Sequence, residues 1–149
     1  MKPKLNILLA ITLGMLIFQG CKKDKEEYGP VPEIEFVSIS PSTVKAFSDS
    51  VVIKIKYTDG DADLGENTSG VENAFITDSR SSLTYGLRIR QLAPDGANII
   101  IQGEVDLVIP AVGHAGGSGN EQASFQVYVK DRAGNQSNVV TTSAISILP

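Results

Sequence analysis

The residues best suited to chemistry lie in one short acidic stretch. Asp59, Asp61 and Asp63 put three carboxylates within five residues, with Gly60 inside the stretch and Gly65 just after it. Oxygen ligands at alternate positions of a glycine-bent loop suit a hard cation such as Ca²⁺. The stretch is not an EF-hand, because Leu64 stands where that template has glycine and Gly70 where it has glutamate. The pattern predicts a calcium site, and the alternative is an aspartate- and glycine-rich surface turn that needs no metal.

Two further residues with side-chain oxygens, Asp131 and Asn135, could complete this site. In an antiparallel sandwich each connection reverses the chain, so even-numbered strands end at the same pole. If the domain has seven strands, those ending at Tyr57 and Lys130 are the second and the sixth, and their loops meet. If it has six strands, the two loops fall at opposite ends and no shared site forms.

Cys21 and His114 are the only cysteine and the only histidine. A single cysteine cannot form a disulfide within the chain, and Cys21 precedes any folded domain that could place a catalytic partner beside it. His114 lies in a glycine-rich segment with Ser118, but a catalytic triad needs rigid placement and an orienting carboxylate. We therefore expect His114 to be a solvent-exposed loop residue, and we predict no catalytic residue and no enzyme.

The first twenty residues read as an export signal. Lys2 and Lys4 precede an apolar run over residues 5–18, which is shorter than the roughly 20 residues that a membrane-spanning helix needs. The run ends at Gly20-Cys21, and this junction resembles the lipobox of bacterial lipoproteins. The resemblance implies that residues 1–20 are a signal peptide that is removed. It also implies that the Cys21 thiol carries a diacylglycerol and its new amino group an acyl chain such as palmitate.

Residues 21–32 form the predicted tether. Six consecutive charged residues, 22–27, cannot bury surface, and Pro30 and Pro32 favour an extended backbone. The charged run resembles the signal that sends lipoproteins of Bacteroidetes-type bacteria to the outer face of the outer membrane. We therefore expect a cell-envelope protein, lipid-anchored to the outer membrane, and leave open whether it faces the cell surface or the periplasm.

Residues 33–149 form one predicted domain, in which apolar residues recur with a period of two. A shift of phase between Phe36 and Val37 predicts a β-bulge. Turn residues at 94–96 and 131–135 predict two hairpins. We predict an all-β domain, an antiparallel β-sandwich of about seven strands. The alternating segments are 33–39, 50–57, 83–92, 98–109, 124–130 and 138–148, with 73–78 as a candidate seventh.

Three stretches of this domain, 41–44, 57–65 and 129–138, are similar to small Bacteroidetes lipoproteins that carry an immunoglobulin-like or fibronectin-III-like domain. The likeness covers most of residues 33–149. It implies an immunoglobulin-like sandwich displayed on a lipid anchor, and it says more about fold and setting than about activity.

The charge balance limits the partners. From residue 21 onward there are 11 Lys and Arg against 17 Asp and Glu, a net charge of −6, which argues against nucleic acid. We expect a membrane-anchored, non-catalytic module for binding, adhesion or envelope-complex assembly, with the membrane and a protein or carbohydrate as partners. The alternatives are a purely structural envelope protein and a hydrolase using two carboxylates.

Overall fold

The computed structural model describes residues 28–149, which form ten strands and no helix. The predicted signal peptide (residues 1–20), the lipidation at Cys21 and the tether up to residue 27 lie outside the described residues. The strands are β1 Glu33–Ser40, β2 Thr43–Lys45, β3 Val51–Asp59, β4 Ala74–Asp78, β5 Thr84–Leu87, β6 Ile101–Ile109, β7 Glu121–Ala123, β8 Phe125–Val129, β9 Val140–Thr141 and β10 Ile145–Leu148. The prediction of an all-β domain is confirmed.

The strands pair into three sheets. One has the order β1-β3-β6, a second β5-β4-β8-β9 and a third β2-β10-β7. All pairs are antiparallel except β2 with β10, which run parallel. The second and third sheets share two segments of the chain. β7 continues into β8 with only Ser124 between them, and β9 continues into β10 with residues 142–144 between them. This arrangement is that of a β-sandwich.

The ten strands correspond to seven extended segments, three of which are divided. The first segment breaks between β1 and β2 at Pro41, which has no amide hydrogen for a sheet ladder. The other two breaks are those between β7 and β8 and between β9 and β10. The predicted number of about seven strands therefore describes the segments, and the breaks mark where a segment changes its neighbour.

Alternate residues of the long strands fill the core. In β3, Val51, Ile53 and Ile55 are fully buried, and burying each such side chain contributes about 1.5–3 kcal/mol. Phe125 of β8 is the largest fully buried side chain on the facing sheet. The predicted bulge is confirmed, since the register of β1 against β3 shifts between Phe36 and Ser38.

Alternation within residues 83–92, 98–109 and 138–148 predicts that Leu83, Ile99, Val139 and Thr141 face inward, but all four are exposed. The first three lie before their strands begin, because β5 starts at Thr84, β6 at Ile101 and β9 at Val140, and alternation governs side-chain direction only inside a strand. Thr141 lies inside β9, where Val140 is the more buried residue, so the predicted phase was wrong there.

Of the two predicted hairpins, one is correct. The turn at 131–135 joins β8 to β9, closed by a hydrogen bond from the Asp131 amide to the Asn135 carbonyl (3.1 Å). The turn at 94–96 forms too, with Gly96 at φ +73°, but it does not make a hairpin. It lies in the crossover from β5 to β6, which belong to different sheets. Turn residues specify a local reversal and not which strands pair.

Candidate metal site and the two poles of the sandwich

Two loops meet at the end of the sandwich where β3 and β8 finish. Leu64, in the loop after β3, forms an isolated β-bridge with Asp131, in the turn after β8. The Arg132 amide donates to the Asp63 carbonyl (3.2 Å), and the Ala133 amide donates to Asp63 Oδ2 (3.1 Å). The structure thus places the two loops together, as the seven-strand alternative requires. We call this end, defined by Asp59, Asp61, Asp63 and Asp131, the acidic pole.

Asp59, the last residue of β3, and Asp61 and Asp63, in the loop that follows, converge, and we call these three the loop aspartates. One carboxylate oxygen from each of Asp59, Asp61 and Asp63 lies within 4.8 Å of the others. Asp59 is fully buried, and its Oδ2 accepts a hydrogen bond from the Leu64 amide (2.8 Å). The Oδ1 atoms of all three aspartates are buried and have no hydrogen-bond partner among residues 28–149. This is a set of carboxylate oxygens that face one another without donors.

The electrostatics of the acidic pole disfavour this arrangement of carboxylates. Burial raises the pKa of Asp63 to about 6, and the charges of Asp131 and Asp61 act in the same direction. Burial is also the largest cause that raises the pKa of Asp59, and the hydrogen bond from Leu64 only partly opposes it. Carboxyl groups with these shifts hold their charge at a cost in free energy.

The guanidinium group of Arg132, in the β8–β9 turn, is directed away from the three loop aspartates. Arg132 donates to the carbonyl oxygens of Gly65 (2.9 Å) and Ala62 (3.4 Å). Its remaining ion pair, with Asp95, is long at 3.7 Å. Arg132 therefore supports the backbone of the loop and does not neutralise the three inward-facing oxygens.

The two residues predicted from the second loop take different places. Asp131 is largely buried and lies close enough for its charge to raise the pKa of both Asp59 and Asp63. Asn135 contacts Asp131 instead of the cluster, since its backbone amide donates to Asp131 Oδ1 (2.7 Å) and its Nδ2 to Asp131 Oδ2 (2.8 Å). Asn135 orients the fourth carboxylate.

The beginning of the described chain packs against the same pole, a contact that the sequence did not predict. A Cβ on Gly60 would lie 2.3 Å from the Gly29 carbonyl oxygen, so the two backbones touch. Asn135 Nδ2 also donates to the carbonyl of Pro30 at 3.4 Å. The tether residues 28–30 therefore leave the sandwich at the acidic pole. The glycine at position 60 was the one available signal.

His114 lies at the opposite end and is not solvent-exposed as predicted, since its side chain is only 9% exposed. Its Nδ1 faces Glu121 Oε1 (3.1 Å) and its Nε2 faces the Gly119 carbonyl (2.9 Å). Glu121 also pairs with Arg80, which pairs in turn with the buried Asp78. The ring contacts Gly119 and not Ser118. This polar network fixes the glycine-rich loop, and the contacts of the ring with Gly119 and Glu121 across that loop explain why the prediction of exposure was wrong.

Comparison with known proteins identifies no relative of this chain. No protein-family model matches the chain, and no curated protein matches it. The likeness to Bacteroidetes lipoproteins with an immunoglobulin-like domain therefore stays a prediction. None of the described residues forms a helix long and apolar enough to cross a membrane.

Proposed function

We propose that this chain is a non-catalytic β-sandwich module, lipid-anchored at Cys21 in a bacterial envelope, that binds a protein partner through the pole opposite the tether. The observation that carries the binding role is Phe47. Its side chain is 74% exposed, and its backbone has φ +60°. The immunoglobulin-like character of the fold and the envelope location belong to the same proposal and rest on the sequence patterns alone.

Phe47 occupies a conformation that costs stability. A bulky residue in the left-handed region is disfavoured by about 1–2 kcal/mol. The surrounding turn nonetheless fixes it there: the Phe47 amide donates to the Val112 carbonyl (2.9 Å), and Asp49 Oδ2 accepts from the Lys45 amide (2.8 Å). A strained backbone that holds an aromatic ring in solvent is typical of a recognition residue, since exposed aromatics are enriched at interface hot spots.

A protein partner fits this surface better than a carbohydrate. Leu83, which is 52% exposed, lies at the same pole, where its carbonyl accepts from the Asp78 amide. Apolar side chains of this kind gain from contact with other apolar side chains. The side chains of Phe47 and Leu83 contain no hydrogen-bonding atoms, so they cannot satisfy the hydroxyl groups that a sugar presents.

The position of the tether supports this orientation. Residues 28–30 pack at the acidic pole, whereas Phe47 precedes the start of β3 at the other end. The nine residues of β3 span about 26 Å at a rise of roughly 3.3 Å per residue. A module held by its N-terminal tether would therefore present Phe47 on the side away from the anchor.

The test is site-specific photo-crosslinking of the full chain in intact cells. A crosslinker at position 47 is expected to trap a protein adduct, and the same crosslinker at Val139, 51% exposed on a different surface, is the matched control. A Phe47→Ser competitor should not reduce the adduct, whereas excess wild-type protein should. Adducts of equal yield at both positions would contradict the proposal. An adduct that glycosidase removes would show that the partner is a carbohydrate and not a protein.

The anchor is tested separately. Metabolic labelling with an alkyne fatty acid is expected to label the wild-type chain and not Cys21→Ser. Protease treatment of intact cells then distinguishes the surface from the periplasmic face. An unlabelled wild-type chain would refute the anchor and leave the crosslinking result intact.

A further inference from the structure

We propose that the acidic pole binds one Ca²⁺ ion, with Asp59, Asp61 and Asp63 as direct ligands and the Asp131 carboxylate beside them. This site is independent of the partner-binding surface at the other pole.

The spacing of the oxygens fits a single shared ion. Calcium binds oxygen at 2.3–2.6 Å, so two ligands on opposite sides of one ion lie up to about 5 Å apart. One oxygen from each of the three loop aspartates falls within 4.8 Å of the others. The three atoms can therefore contact one ion without a large rearrangement of the loop.

The buried, unpartnered oxygens are the independent sign of a ligand. Asp59 is fully buried, and its Oδ1 accepts no hydrogen bond from residues 28–149, nor do Oδ1 of Asp61 and Asp63. Buried polar atoms nearly always have a partner, and a charged group without one is more costly than a neutral group. A surface turn rich in aspartate would point these atoms to water. Three of them facing inward together indicate a cation-binding site.

The chemistry of the ligands selects a hard cation. The cluster contains carboxylates and neither histidine nor cysteine, which excludes the donor sets typical of zinc and copper. Asp59 ends β3, and Asp61 and Asp63 follow it in an irregular loop in which Ala62 has φ +63°. Calcium accepts irregular oxygen cages, whereas Mg²⁺ demands near-octahedral geometry and keeps several waters.

Through Asp131, the proposed site connects the loop after β3 with the turn after β8. Its carboxylate is oriented by two hydrogen bonds from Asn135, and each of its oxygens retains a second lone pair. A cation between Asp131 and the loop aspartates would hold the β3–β4 connection against the β8–β9 turn. The ion would also stabilise the surface on which residues 28–30 pack.

The experiment compares the purified full chain in detergent with EGTA, CaCl₂ or MgCl₂, by thermal unfolding and calorimetric titration. At a calcium concentration 100 times the Kd, we expect the midpoint to rise by about 10 °C, for a domain of this size. Mg²⁺ at the same concentration should give a clearly smaller shift.

Asp61→Asn is the informative variant, because Asp61 is only partly buried and its replacement should not prevent folding. It is expected to abolish the calcium shift and to leave the midpoint in EGTA equal to or above that of the wild type, since one like charge has gone. Asp95→Asn, at an aspartate whose side chain is 86% exposed, is the matched control and should keep the full shift. A wild-type midpoint that calcium does not change, or a shift that Asp61→Asn retains, would overturn the site.

Discussion

Replacement of Arg80 by methionine is expected to destabilise the domain strongly, because it leaves a buried charge without its partner. The Asp78 side chain is 2% exposed and that of Arg80 is 11% exposed. Arg80 donates from Nε to Asp78 Oδ1 (3.0 Å) and from Nη2 to Asp78 Oδ2 (2.6 Å). It also donates to Glu121 and to the Gly113 carbonyl, so one side chain joins three segments of the chain.

The size of the expected loss of stability depends on the hydrogen bonds that Asp78 retains in the variant. Breaking a buried ion pair by removing one partner costs about 3–5 kcal/mol. The lower end applies here, because Asp78 Oδ1 still accepts the Arg80 backbone amide (2.9 Å), whereas Oδ2 loses its partner. With an unfolding entropy of about 2.1 cal/mol/K per residue over the 122 residues from Tyr28 to Pro149, a loss of about 3 kcal/mol lowers the midpoint by roughly 12 °C.

Thermal unfolding of three variants checks this reasoning. Arg80→Met alone should show the full loss. The double variant Asp78→Asn/Arg80→Met should lose less than the single one, because no uncompensated charge stays buried. Arg90→Met, at an exposed arginine, should change stability by no more than about 0.5 kcal/mol. If Arg80→Met resembles Arg90→Met, or if the double variant is less stable than the single, the buried pair is not what holds this end together.

Two further predictions concern the tether and acid stability. Gly60→Ala should lower the free energy of unfolding of the full chain by about 1 kcal/mol, because its Cβ meets the Gly29 carbonyl. In a chain that begins at Val31, the same substitution should have almost no effect. Equal shifts of the denaturant midpoint in both chains would contradict the packing of the tether. Hydrogen bonds from the Ala115 and Gly116 amides, with the charges of His114 and Arg80, hold the pKa of Glu121 below its ordinary value of 4.5. Its contribution to stability is therefore complete above pH 4.5 and is lost as the pH falls below that. Glu121→Gln should flatten the pH dependence of urea unfolding below pH 4.5, and an unchanged slope would show that other carboxyl groups dominate.

The sequence predicts those parts of the fold that depend on neighbouring residues. Alternation along β3 predicts its buried face, and the break of phase near Phe36 predicts the bulge, because side-chain direction in a strand follows from its period of two. Glycine and asparagine in 131–135 predict the β8–β9 hairpin, because these residues tolerate the left-handed backbone that its turn requires at Gly134.

The sequence does not predict what depends on distant pairing. Arg80 and Glu121 are 41 residues apart, and nothing in either local pattern indicates that they meet. His114 differs, because its partners Gly119 and Glu121 are near in sequence, and the prediction of exposure was wrong because the glycine-rich segment between them predicts a flexible loop. The prediction of a hairpin at 94–96 is wrong for a related reason. β5 pairs with β4 and β6 pairs with β3, and these pairings depend on which faces the strands bury and not on the turn residues between β5 and β6.

The acidic loop shows why a motif and its surroundings carry different information. Residue types at 59, 61 and 63 suggest hard-cation chemistry, but exposed turns have the same composition, so the sequence leaves the choice open. The burial of Asp59 favours the cation site over the solvent-exposed turn. An aspartate turn in water needs no ion, whereas Asp59 is fully buried with an unpartnered oxygen, and Asp131 adds a fourth carboxylate from the turn after β8. At the other pole a comparable set of carboxylates, Asp78 and Glu121, is neutralised by Arg80 from within the chain. Among residues 28–149, no basic side chain forms an ion pair with the four aspartates of the acidic pole, and this contrast between two ends of one sandwich is the physical reason to expect that its cation comes from solution.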